Sequence, residues 1–248
     1  MGKSFTQTPY YLQKAIKDFF NPFILRLALL PFIISLVFWI TIFYFFSKDV
    51  MTNLFALIQP YLTIETSWLS WIQAPLEFLA HTFLFIIIMV FFWLLQFLTL
   101  MLINAFLTPF VVQFIHKQHY SSILIQPDTA FFVSLLFLII SYVIYAMLFL
   151  CLLPFYFIPP IWIIGITFLN YWLFSKILLQ DVGENIFSQQ EFTHTKQIHK
   201  NAIRSLIIPL FLLSLIPFVS FFVPLFSSIA LTHLFFHIKG DLKDGNSN

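Results

Sequence analysis

Charge is scarce in this chain: 12 lysines and arginines and 10 aspartates and glutamates serve 248 residues. At 9% charged and 60% hydrophobic, the composition excludes an ordinary soluble globular domain, which needs far more polar surface. Glycine is scarce too, with 5 residues, and no phosphate-binding glycine loop, Gly-x-Ser-x-Gly elbow or His-Glu-x-x-His helix occurs. ATP-driven work and soluble-type catalysis therefore have no motif to rest on. The single cysteine, Cys151, cannot form an intrachain disulfide. A net charge of +2, spread along the chain, offers nucleic acid no basic patch, so none is expected as a partner.

What the chain has instead is long apolar runs, 36 phenylalanines and 13 prolines. The fold class that follows is an all-α integral membrane protein, with the lipid bilayer as its first partner. Thr8-Pro9 can cap an amphipathic helix with Tyr11, Leu12, Ala15, Ile16, Phe19 and Phe20 on one face and Gln13, Lys14, Lys17 and Asp18 on the other. This surface helix occupies residues 1–21 and ends at Asn21-Pro22. Residues 22–47 form a first span kinked at Pro31, and the apolar block 27–47 is too long for a signal-peptide core. The segment 48–77, with Asp49, Glu65, Trp68, Trp71 and Glu77, suits an external membrane interface. A second long span, 78–115, is expected to break near Pro109, and His116, Lys117 and His119 mark its return to water.

Two proline-centred segments follow, 129–178 and 205–238, separated by a basic helix over 185–204 and closed by a tail at 239–248. Residues 206–238 carry no Asp, Glu, Lys or Arg, yet Pro209, Pro217 and Pro224 divide them into pieces too short to cross. A hairpin that enters the membrane and returns is expected there. For 129–178 length permits either a hairpin of that kind or two crossings. The centres LPFYFIPP (153–160) and IPFVSFFVP (216–224) form a weak internal repeat. In the basic segment, Ser188 followed three residues later by Glu191 has capping-box spacing. Lysines and arginines cluster at the N-terminal segment, at 176–204 and in the tail, which places all three in the cytoplasm. We read the whole as one membrane domain.

Arg26 is the one cation flanked by helix breaks beside an apolar span, in NPFILRLALLP. With Pro22 in the first turn, the N–H groups of Phe23, Ile24 and Leu25 are expected to be free beside its guanidinium, a combination suited to an oxyanion. The alternative is an interfacial arginine reaching lipid phosphates. Helix starts at Pro160 and Pro224, the second followed by Ser227 and Ser228, would put positive dipole ends at depth, or merely shape packed turns. His233 and His237 share a helical face at a spacing that metal sites use, but no carboxylate or cysteine accompanies them, and an interfacial pair is the default. His81 would bond inside the bundle or couple to pH. Apart from it the spans lack the carboxylates and histidines of an intramembrane enzyme, so no catalytic residue, cofactor or metal is expected.

Taken in order, these features resemble the CysZ sulfate-permease family, which shares a superfamily with the eukaryotic etoposide-induced membrane proteins. The landmarks are the amphipathic start, Pro22 to Pro31 with Arg26, Trp68-Leu-Ser-Trp71, Asn104 before Pro109-Phe110, and two proline-centred hairpins around a basic helix. They extend over about residues 10–236. The resemblance implies two long transmembrane helices plus two hemi-penetrating hairpins, with amphipathic cytoplasmic helices. It also implies a homo-oligomer that passes sulfate across the bacterial inner membrane, both termini being cytoplasmic. The family's sulfate-binding segment, often Gly, aliphatic, Arg, Arg, corresponds here to Phe23, Ile24, Leu25 and Arg26. The glycine and one arginine are replaced, so one cation opposes a dianion, and His116 and His119 stand in a region where the family places acidic residues. The expected function is an inner-membrane anion transporter for sulfate or a related oxyanion. A membrane-shaping or assembly protein of the same fold, which does not transport, is the alternative.

Overall fold

The computed structural model describes residues 3–63, 71–129, 131–216 and 218–243, and side chains within them except those of 3–7, 93, 94, 96–98, 100–106, 131, 242 and 243. Glu65, Trp68 and Pro217, and the side chain of Asn104, lie outside what is described. The described residues form helices without a strand: α1 (Lys3–Phe19), α2 (Pro22–Leu62), α3 (Gln73–His119), α4 (Phe131–Leu152), α5 (Pro159–Gly183), α6 (Gln189–Ile198), α7 (Lys200–Ser214) and α8 (Val223–Lys243). Short 3-10 turns at Leu153–Phe157 and Val219–Phe221 make the two hairpin tips.

Several boundaries differ from the sequence expectation for physical reasons. Pro9 lies inside α1, and Thr8, instead of capping, donates to the Ser205 hydroxyl of α7 at 3.1 Å. α2 runs on past residue 47 through Lys48 and Asp49 to Leu62, since two charged helix formers do not stop a helix. α3 continues across Pro109, which removes one backbone donor without ending the helix. The basic segment divides at His199 into α6 and α7.

Other local signals act as written. Asn21 ends the α1 turn and starts α2, its side chain accepting from the Phe23 N–H at 3.0 Å. Ser188 and Glu191 complete a reciprocal capping box at the start of α6. The two Pro-Phe centres fold alike, a 3-10 turn followed by a helix with proline in its first two positions. Phe218 adopts φ 65°, ψ −43° to make the second tip, a conformation that costs a side-chain-bearing residue about 1–3 kcal/mol.

The chain packs as two compact units, Met1–Ala28 with Asn104–Asn248, and Leu29–Ile103. In the second, α2 and α3 run antiparallel. The Trp39 indole donates to Thr99 at 3.0 Å, Phe43 meets Phe85 and Phe92 edge-on, and His81 stacks on Phe55. In the first, α8 is the central helix. Ile229, Ala230, Leu231, Leu234, Phe235 and Phe236 are buried against Tyr11 and Ala15 of α1, Val111 and Ile115 of α3, Val182 of α5 and Leu206, Ile207 and Leu210 of α7. α2, the Gln73–Phe92 part of α3, α4 with its turn, and α5 are long and apolar enough to cross a membrane. Between 6% and 17% of each such window is buried within the chain, so most of their apolar surface is left for lipid or other protein. α7, at 15 residues, falls short of a crossing.

Candidate functional site

The residues singled out in the sequence sit at the α1–α2 junction. Leu25 N–H bonds the Asn21 carbonyl at 2.8 Å, and Phe23 N–H is held by the Asn21 side chain. Two of the three amides expected to be free are therefore engaged, because asparagine before Pro22 makes a local cap. Ile24 is fully buried in the core, which fixes the turn, and Phe23 stacks on Phe114 at 4.8 Å between centroids. Arg26 is exposed, and among the described residues no carboxylate pairs with it. The junction thus presents one unneutralised guanidinium on a rigid, capped helix start.

Both hairpin tips end in helix starts, as expected. At the second, Ser227 is fully buried and its hydroxyl has no partner among the described residues, whereas Ser228 bonds the Pro224 carbonyl and lies 3.4 Å from Thr108 of α3. An unsatisfied buried hydroxyl costs about 1–3 kcal/mol.

A polar cluster escaped the sequence reading. Asp18, only 5% exposed, accepts from His233 Nε2 at 2.8 Å and from His119 Nε2 at 3.1 Å. With Nε2–H donating to the carboxylate, the neutral His233 ring leaves Nδ1 as acceptor, and the Tyr120 hydroxyl donates to it over 3.1 Å. Lys14 stands 3.5 Å from that hydroxyl. Burial raises the Tyr120 phenol above its ordinary value, against the pull of Lys14. For Lys14, desolvation acts downward, but Tyr10 and Tyr120 outweigh it and the ammonium is raised. The groups form a chain from the lysine through the phenol and the imidazole to the carboxylate. It fastens α1 to the end of α3 and the middle of α8.

The His233–His237 pair goes to separate partners, His237 lying 3.2 Å from Asp241 and edge-on to Tyr11. His116 bonds the Ile123 carbonyl at 2.7 Å. His237 and Asp241 are an i, i+4 pair, whereas the contacts of His119 and His233 with Asp18 join residues 101 and 215 apart, which spacing alone does not report.

A wholly helical fold among the described residues, with four helices long and apolar enough to span a bilayer, defines a multi-pass all-α membrane protein. The chain matches the family model described as sulfate transporter CysZ/etoposide-induced protein 2.4 over residues 11–224, and it belongs to that family. No curated protein and no solved structure matches it.

Proposed function

We propose that this protein is an inner-membrane anion transporter taking sulfate or a related oxyanion, with Arg26 as the capture residue. The observation that carries the reading is the exposed Arg26 guanidinium, without a carboxylate partner, on a capped helix start in a member of a sulfate transporter family. A planar fork of donors matches a tetrahedral oxyanion, and the positive end of α2 adds to it. Ile24 fixes the turn, Leu25 closes its first backbone bond, and the Phe23 N–H joins the anion only when Asn21 releases it. One cation opposes a dianion here, so the affinity is modest and suited to release. Movement onward follows the starts of α5 and α8 in an assembly of several copies, where helix dipoles lower the barrier.

Titration of sulfate into purified protein tests the site. Wild type should bind, Arg26→Ala should lose at least about tenfold in affinity, the cost of one charged hydrogen-bonding group, and Arg26→Lys should fall between. Equal binding by all three would leave Arg26 as an interfacial anchor and favour a protein that shapes the bilayer without transporting.

A further inference from the structure

A groove of about 990 Å³ opens between α5, α6 and α7, and Arg26 does not line it. Its upper rim carries Lys176, Lys196, Lys200 and Arg204, contributed by three separate helices. Among the described residues no carboxylate pairs with any of the four. Glu191, which shares α6 with Lys196, is taken by Lys239 at 3.1 Å and by its own capping box. Lys176 lies 4.8 Å over the Trp172 ring, which holds the ammonium at the level of an aromatic that favours membrane interfaces. Desolvation, and then the charge of Lys176, push the Lys196 ammonium below the ordinary lysine range. Four cations therefore line one groove without a carboxylate partner among the described residues.

The lower wall has the opposite character. Phe168 lies two helical turns before Lys176 on α5, and Ile208 lies one turn beyond Arg204 on α7. Both line the groove and are exposed, at 69% and 49%. A free oxyanion would use the rim alone and leave this apolar wall uncovered. A ligand with an anionic head and an apolar tail covers both.

We infer that this groove binds an anionic phospholipid, its phosphate among Lys176, Lys196, Lys200 and Arg204 and an acyl chain along Phe168 and Ile208. The site is built from residues other than the Arg26 junction and stands whether or not sulfate is the transported solute. Its occupant holds α5 to the α6–α7 pair by bridging their charges.

Native mass spectrometry of the full chain released from phosphatidylcholine nanodiscs doped with phosphatidylglycerol tests it. Each basic residue near a membrane surface contributes about fivefold to anionic-lipid binding, so Lys200→Gln with Arg204→Gln should weaken phosphatidylglycerol binding about 30-fold. A control pair, Lys17→Gln with Lys117→Gln, removes two exposed charges elsewhere and should leave it unchanged. Should the double variant not fold, each single substitution reads the same effect at about fivefold. Equal phosphatidylglycerol binding by wild type and the rim variants would overturn the site. Displacement of the lipid by millimolar sulfate would assign the rim to a small oxyanion and overturn the lipid reading.

Discussion

Asp18 is a buried carboxylate on α1, whose Tyr11 and Ala15 also pack into the core. Its two imidazole partners come from α3 and α8; truncating it leaves the fully buried His233 without an acceptor, whereas His119, whose side chain is 32% exposed, can turn to water. Leaving a buried donor without its acceptor costs about 1–3 kcal/mol, and Asp18→Ala should lower unfolding stability in detergent by about that amount. Asp18→Asn keeps an acceptor and should cost less; equal losses would mean that volume, not hydrogen bonding, is what the site needs. His199 sits half-buried between α6 and α7, facing His194 and Asp241. Burial chiefly, with His194, lowers its pKa, and Asp241 opposes the shift. The unfolded chain therefore takes up the proton first, near pH 6.5. Stability is complete above that pH and declines as pH falls toward the lowered folded value. His199→Gln should flatten the stability curve between about pH 7 and pH 5, and an unchanged slope would remove His199 from the account.

At the scale of elements, what the sequence disclosed was local. Asn21-Pro22, the Ser188–Glu191 box and the two Pro-Phe centres each act through neighbours within a few residues, and each appears where it was expected. Ser188→Ala should cost about 1 kcal/mol, read as a small drop in thermal midpoint. Long-range and permissive effects were not legible. Thr8 reaches Ser205, and the His233–Asp18 bond joins residues 215 apart in the chain, which no periodicity reports. Lys48, Asp49 and Pro109 read as boundaries although a helix tolerates each. Gly183 was equally silent in the sequence. A Cβ there would overlap the Phe192 ring, so α5 and α6 approach closely because this residue has no side chain. Gly183→Ala should destabilise by about 1–3 kcal/mol, the cost of overpacking, and a neutral effect would show that Phe192 moves aside freely.

For the molecule as a whole, the division of labour lies between a packed core around α8 and apolar helices whose surfaces face outward. The depth a hairpin can reach is limited by the length of its arms. α7 is too short to cross, whereas α4 and α5 are long enough. With Cys151 replaced, a cysteine at Ser220 should resist labelling from outside, and one at Tyr156 should do so too if the first hairpin also turns back. Labelling at Tyr156 alone would give that hairpin a full crossing; labelling at both would require six crossings. The central claim concerns transport, and the most direct measurement is radiolabelled sulfate flux into proteoliposomes containing folded wild-type protein or Arg26→Ala. The account predicts flux with wild type and its loss in the variant; absence of flux from wild type, or flux that survives the substitution, would contradict it.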